Sequence, residues 1–459
     1  MQDGRAVHGA LRAWRGFDSD PRSAIRDPRS QPADTRRRSI AAALRVLAVA
    51  AAAALLCPAA VDAQEWARFR GPNGSGVGEA ARVPVRWSDG DLNWKTALPG
   101  TGHSSPVLWG ARLFLTCGDD ETGRRILCCL DAGDGRIVWT RDYDTATHRR
   151  HQLNSLASST PCVDERHIYL LWTTDREVFA AAYDHAGEPV WRKRLAAYKA
   201  GHGSGVSPVV HDGLMIVANE HSGDSELLAL EAATGDVRWR VPRKSQVQYS
   251  TPCIYQRPGR RTEVIFTNWE NGISGVDLQT GRVAWERRVF DESHIECSIS
   301  SPIVAGDLVL GTCGWLGHGE QTVAVRPDEA RPGTAVEVYR VDRGAPLTPT
   351  PLVKDDLLFL WADDGIVTCV DSRTGELVWR QRVGGTYYGS PVAAGDAVYC
   401  VSADGEMVVI AASREFELLA RNPLGEVSHA TPAVANGVMY VRTVSQVMAV
   451  GGPEHSDAE

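Results

Sequence analysis

The chain lacks the signatures of most familiar enzyme classes. None of its 459 residues builds an HExxH motif, a Gly-rich phosphate loop or a Gly-x-Ser-x-Gly elbow, so zinc hydrolysis, phosphate cradling and nucleophile-elbow chemistry have no starting point. Positive charge is scarce where it would matter. The formal net charge is −8, from 49 basic and 57 acidic residues. Residues 1–63 hold ten Arg, no Lys and six Asp, and subtracting them leaves a body near −12. No basic stripe interrupts that acidity, so the footprint that neutralises phosphates is missing and nucleic acid is excluded as a partner. Aromatic residues are only 7% of the chain, yet 14 of them are Trp, and there are 44 Gly. A sequence poor in rings and rich in Trp is reusing one residue for one purpose.

Long apolar runs are absent as well. The longest near the N-terminus covers residues 46–56, too short to span a bilayer core of about 30 Å as a helix. It follows Arg36, Arg37 and Arg38 and precedes the small residues Ala59, Ala60 and Ala63. Basic region, apolar core and small-residue site in that order predict a Sec-type secretory signal cleaved after Ala63, a periplasmic or secreted location, and no transmembrane segment in the mature chain. Of ten cysteines, Cys57 falls in this leader, and the nine that remain cannot form a complete disulfide framework. Cys162, Cys253, Cys369 and Cys400 lie in apolar surroundings and read as small buried hydrophobes.

What the chain does have is a repeat. A Ser/Thr-Pro pair recurs at Ser105, Thr160, Ser207, Thr251, Ser301, Thr350, Ser390 and Thr431, with proline spacings of 55, 47, 44, 50, 49, 40 and 41. Short apolar runs follow, separated by turns such as Asp212-Gly213 and Asn436-Gly437, and most units end in a Gly with Trp four residues on, as in Gly135/Trp139 and Gly235/Trp239. Four short strands joined by Asx-Gly turns form an antiparallel meander. One such sheet cannot bury both faces alone, so the units must stack, and a ring of them is a β-propeller. The expectation is an all-β, eight-bladed β-propeller of four-stranded antiparallel blades. The eighth unit ends without its Gly-to-Trp strand, while Gly90 and Trp94 carry that spacing ahead of blade one. Residues 90–98 are therefore expected to close blade eight. The predicted organisation is a leader over 1–63, an extension over 64–100 that supplies the closing strand, the propeller over 101–452 and a tail over 453–459. Six Trp share the docking position, with Gly333/Glu337 in blade five and Glu415/Leu419 in blade seven as the departures. At that position the ring is expected to pack on the next blade while its N–H finds a carbonyl.

Residues 184–191, 277–285 and 371–379, each running from Asp through Gly to Trp, resemble the tryptophan-docking repeat of the pyrroloquinoline quinone (PQQ) superfamily, and the resemblance covers about residues 85–452. The lead-in around Trp66, Gly71, Pro72 and Gly74 is similar to that of secreted PQQ-like propellers of planctomycete-type bacteria. That superfamily includes quinoprotein dehydrogenases, an outer-membrane assembly lipoprotein that acts as a scaffold, and members with no assigned activity. The resemblance implies the fold, and the expected function is a ligand-binding or protein-scaffolding module like the outer-membrane assembly propeller rather than an enzyme, with a PQQ-dependent oxidoreductase acting on alcohols or sugars with PQQ and Ca²⁺ as the alternative.

Side chains three residues before each proline should line the mouth of the central channel: His103, Ser158, Gly205 and Tyr249 on one half, Ile299, Thr348, Tyr388 and His429 on the other. Their neighbours add His202, Gln248, Glu296 and Tyr387. Imidazoles and phenols converging on a funnel are the lining of a small-ligand or partner pocket, and the alternative is that they plug the channel and satisfy one another. No residue aligns with a catalytic Asp or with cation ligands. Asp363, Asp364, Asp404, Glu270 and Asn271 face the same side, where Asx-Gly turns account for Asp364, Asp404 and Asn271. The vicinal pair Cys128-Cys129 falls inside a strand, where neighbouring side chains point apart, and reads as two separate thiols rather than the disulfide of quinoprotein alcohol dehydrogenases. His148-Arg149-Arg150-His151 is a local basic patch, either a solvated loop or an anion contact.

Overall fold

The computed structural model describes residues 66–452 apart from 79–82, 246–247, 291–296 and 316–317. The leader, its cleavage point, the tail and Glu296 lie outside the described residues. Among those described, no helix is long and apolar enough to cross a membrane.

Eight four-stranded blades follow one another along the chain, and a fifth strand, Val77–Gly78, is added to the sheet of blade seven. Blade one comprises Val107–Trp109, Arg112–Gly118, Arg125–Asp131 and Ile137–Asp144, paired antiparallel in sequence order. Blade eight comprises Ala433–Ala435, Val438–Arg442 and Gln446–Gly451, and its fourth strand is Leu92–Ala97, in the register Leu92↔Val450 to Ala97↔Gln446. The strand expected from residues 90–98 does close the ring. Second and third strands are buried on both faces, as in Leu214–Asn219 and Gly272–Asp277, so they read as continuous apolar runs rather than alternating ones.

The Ser/Thr-Pro pairs account for the closure at the inner edge. Innermost strands of two or three residues leave backbone donors without a sheet partner, and proline removes one of them. The remaining N–H is satisfied sideways. Ser105 N–H donates to the Thr160 hydroxyl at 2.9 Å, Thr160 to Ser207 at 3.0 Å, Ser207 to Thr251 at 3.2 Å and Thr251 to Ser301 at 3.0 Å. Ser301 donates to Thr350 at 3.0 Å, Thr350 to Ser390 at 3.0 Å, Ser390 to Thr431 at 2.9 Å and Thr431 back to Ser105 at 3.1 Å. The result is a closed belt of eight hydrogen bonds. A β-hydroxyl is a short, uncharged acceptor that completes it, and Ser or Thr occupies the position in all eight blades.

At the outer edge the docking Trp behaves as its spacing predicts. Trp94, Trp139, Trp191, Trp239 and Trp379 each donate Nε1–H to a carbonyl of the next blade, at 2.8 to 3.2 Å. The glycine four residues before the next Trp is obligatory there: Gly135 sits at φ +73, and a Cβ on it would lie 2.4 Å from the Trp94 ring. Blade five substitutes Tyr339, whose hydroxyl donates to Ser372 O at 2.8 Å. In register Tyr339 lies opposite Ala324 and Glu337 opposite Val325, so the docking residue stands two positions beyond the Glu. Blade seven places Ala420 in that register, and Trp87, from outside the repeat, shares its buried cluster. Trp285 instead donates to Glu263 of its own blade at 2.6 Å.

One element has no counterpart in the repeat. Residues 66–78 run across the end of the channel. Trp66 O accepts from Leu108 N–H of blade one and Ala67 O from Val163 N–H of blade two. Arg68 donates to Pro252 O of blade four, and Asn73 exchanges two bonds with Ile254 there. Arg70 donates to Thr350 O and Pro351 O of blade six, and Val77–Gly78 pairs in parallel with blade seven. Six blades are engaged when Gly78 reaches Val434 of blade eight. This lead-in is a plug built into the ring, a role its sequence does not signal.

Candidate functional site

The belt, the plug and the loops above them enclose a cavity of about 410 Å³. Phe69 of the plug forms part of its lining, as do all eight belt residues and all eight residues three positions before the prolines. His103, Tyr249, Thr348, Tyr388 and His429 therefore meet round one space, and His202 joins them from the loop before blade three. Gln248 and Tyr387 do not. They stand one residue earlier, and in extended backbone successive side chains point opposite ways. Gln248 accepts from Ser298 N–H at 2.6 Å, and Tyr387 packs edge-on to Trp361 at 5.2 Å in the body of the blade. Their assignment to the funnel lining is corrected accordingly.

Rings dominate the walls. His103 and His429 stack with centroids 4.4 Å apart, and Tyr388 meets His429 edge-on at 4.8 Å. Across the cavity His151 meets His202 at 5.3 Å, and the Tyr249 hydroxyl lies 3.3 Å from His202 Nδ1. Burial, with His429 and the Arg442 guanidinium adding to it, pulls His103 down to about 3. Burial also lowers His429, so both imidazoles are biased toward the neutral form. Arg442 is itself spent behind them, donating to Ser104 O at 3.0 Å and Thr116 O at 2.7 Å.

His151, Leu153 and Asn154 come from residues 145–159, the loop that makes the first proline spacing the longest. Leu153 N–H donates to His151 Nδ1, and Asn154 Nδ2 donates to His202 O at 2.9 Å. Of the basic patch, Arg150 pairs with Asp120 at 2.6 Å, and burial beside Arg125 lowers His148 to about 4. Trp315, 51% exposed, stands at the rim. The sequence singled out this stretch only as the basic patch His148-Arg149-Arg150-His151, and nothing periodic pointed to Phe69 or Trp315.

Among the described residues, no Asp, Glu, Lys or Arg lines this cavity, in a chain that is 23% charged. Two carboxylates on this face are used elsewhere. Asp363 accepts from the N–H groups of Leu347 and Thr348 at 2.8 and 3.2 Å, and Asp364 pairs with Arg382 at 3.0 Å. No group of three or more His, Cys, Asp or Glu converges to hold a metal among the described residues. Cys128 and Cys129 are free thiols in separate core clusters on opposite faces of one strand. These residues do not fit PQQ with Ca²⁺, since a tricarboxylate needs cationic anchors and its cation needs oxygen anions.

Residues 76–173, 174–331 and 329–451 match the family profile described as outer membrane protein assembly factor BamB. The chain belongs to that family of PQQ-like propellers. Curated relatives with that name include the BamB of Yersinia pestis, 22% identical over 63% of this chain and 61% of the relative, and that of Bordetella pertussis, 23% identical over 69% and 85%. The chain thus spans less than two thirds of the Yersinia protein. The crystal structure of BamB from Moraxella catarrhalis superposes with a TM-score of 0.57 at 15% identity, covering 80% of this chain and 98% of that one. The quinohemoprotein alcohol dehydrogenase of Comamonas testosteroni superposes with a TM-score of 0.59 at 14% identity, covering 86% and 82%. At these identities the two structures share a fold with this chain, not a chemistry.

Proposed function

We propose that this protein is an extracytoplasmic, non-enzymatic scaffold of the cell envelope that works with protein partners in outer-membrane assembly and presents its funnel face to them. The observation that carries this reading is that, among the described residues, no charged side chain lines the cavity. The described lining residues offer a quinone cofactor and its cation no carboxylate or guanidinium, while Trp315 and Leu153 offer apolar contact at the rim, as the anchor of a protein interface does. Membership of the BamB family and the names of the curated relatives support the same direction. The predicted secretory signal supports the location.

Two measurements test it. A photo-crosslinking residue at Trp315, in cells of the source species, should capture discrete envelope proteins under ultraviolet light, and one placed at exposed Leu377 on an outer strand should give a different set. Purified protein mixed with PQQ and Ca²⁺ and then desalted should retain no quinone absorbance. Retained quinone together with dye reduction by alcohols or sugars would overturn the scaffold in favour of a dehydrogenase.

A further inference from the structure

The cavity carries more than a rim for partners. Its wall is organised in three tiers. At the bottom lies Phe69, held by a plug whose flanking residues Arg68 and Arg70 are fixed to carbonyls of blades four and six, so the space is closed at that end. Above it runs the belt, eight hydroxyls that line the cavity and each accept one backbone N–H. A hydroxyl that accepts keeps a proton with which to donate. Above the belt stand the rings: Tyr249, Tyr388, His103 and His429 in contact with the cavity, and Trp315 at its mouth.

Each tier selects something. Flat aromatic and imidazole walls favour a planar ring by stacking and edge contacts. A belt that retains protons favours oxygen acceptors on that ring. Among the described residues no charged side chain lines the cavity, which disfavours an ionised ligand, because its hydration would be lost without a counter-charge. A volume of about 410 Å³ holds a small molecule. We propose that the cavity binds an uncharged, planar ring compound bearing carbonyl or ether oxygens. This goes beyond the scaffold reading and does not depend on it, since an apolar rim and an occupied cup serve different ligands.

The test uses one residue that the structure leaves open. Gly205 lines the cavity, and a Cβ built on it meets nothing within 4 Å. Gly205→Trp therefore has room for its Cβ and sets an indole at the wall of the cup. The probes are coumarin, planar and neutral with a lactone carbonyl, and coumarin-3-carboxylate, the same ring with a negative charge. Titration of full-length mature protein, followed by calorimetry and by saturation-transfer NMR on the probe, should give binding of coumarin at least tenfold tighter than of the carboxylate. Gly205→Trp should weaken coumarin at least tenfold while leaving the circular dichroism melt unchanged. Equal affinity for the two probes, undiminished coumarin binding in Gly205→Trp, or no coumarin binding at millimolar concentration would each overturn the proposal. Should Gly205→Trp melt early, Ser158→Phe supplies the second block from the neighbouring blade, and the same outcomes apply. The scaffold reading is read separately, by the Trp315 crosslinks.

Discussion

The backbone N–H of Thr431 donates to the hydroxyl of Ser105 at 3.1 Å across 326 residues of sequence. This bond joins the last blade to the first at the inner edge, as the strand pair Leu92–Ala97 and Gln446–Gly451 joins them at the outer edge. The ring is sealed twice, by two unrelated devices.

The inner seal makes a sharp prediction. Ser105→Ala leaves the Thr431 N–H buried without an acceptor, which costs about 1–3 kcal/mol. Ser105→Thr should cost much less, because four blades already carry Thr at that place. Urea denaturation of the two variants measures the difference, and equal midpoints would remove the belt as a stabilising element.

The outer seal depends on glycine. Gly135→Ala forces a Cβ to within 2.4 Å of the Trp94 ring from a backbone at φ +73, so blade one must move off blade eight. Trp239→Phe tests the hydrogen bond alone: the ring stays and the 2.8 Å bond to Leu278 O goes, a loss of about 1 kcal/mol. Trp239→Ala should cost about 3–5 kcal/mol. Thermal melts of the three variants should rank in accordance, with Trp239→Phe the mildest.

Protonation of the buried imidazoles sets a pH dependence. His103 is depressed to about 3 in the folded protein, and an unfolded His titrates near 6.5. Between these values the unfolded chain binds the extra proton, so stability is fully present above 6.5 and falls as pH drops toward 3. His429 and His148 act in the same sense. Buried Asp363, raised by desolvation, acts in the opposite one. The difference between wild type and His103→Gln isolates the first contribution: unfolding free energies measured from pH 4 to 7 should show a shallower slope in the variant, and parallel curves would contradict the burial of that ring.

The plug should be a stabilising element rather than a decoration. Arg70 is fully buried and donates to Gly74 O, Ser75 O, Thr350 O and Pro351 O at 2.6 to 3.1 Å. Hydrogen bonds from a charged donor contribute about 1.5–3 kcal/mol each, so Arg70→Met, which keeps bulk and removes every donor, should lower the urea midpoint more than any single belt variant. It should also expose the bonds within residues 66–78 to limited proteolysis, read by mass spectrometry.

How much of this was legible in the sequence follows from what repeats. Ser/Thr-Pro and Gly-to-Trp recur at every blade or nearly so, and a period fixes position: the ring, its closure by the strand at Trp94 and the wall residues at His103, Tyr249 and His429 all follow from counting. Gln248 and Tyr387 were misplaced by counting neighbours without applying strand alternation. Tyr339 was hidden because its docking place is defined by register across a bulge, not by distance from Gly333. The plug and Phe69 were out of reach, because a segment used once has no period, and its partners Leu108, Pro252, Thr350 and Ala393 are far from it in sequence.

The course of residues 66–78 also decides how the molecule bears load. Leu92 and Val450 are paired at the end of the closing strand where both chain directions leave, so a pull on the two ends would open that strand pair as a zipper, one bond at a time. The lead-in lies upstream of it and is tied to six blades. Tension entering from the N-terminal side is borne by Arg68, Arg70 and Asn73 before it reaches Leu92, so the segment shields the closing strand from a pull on that end.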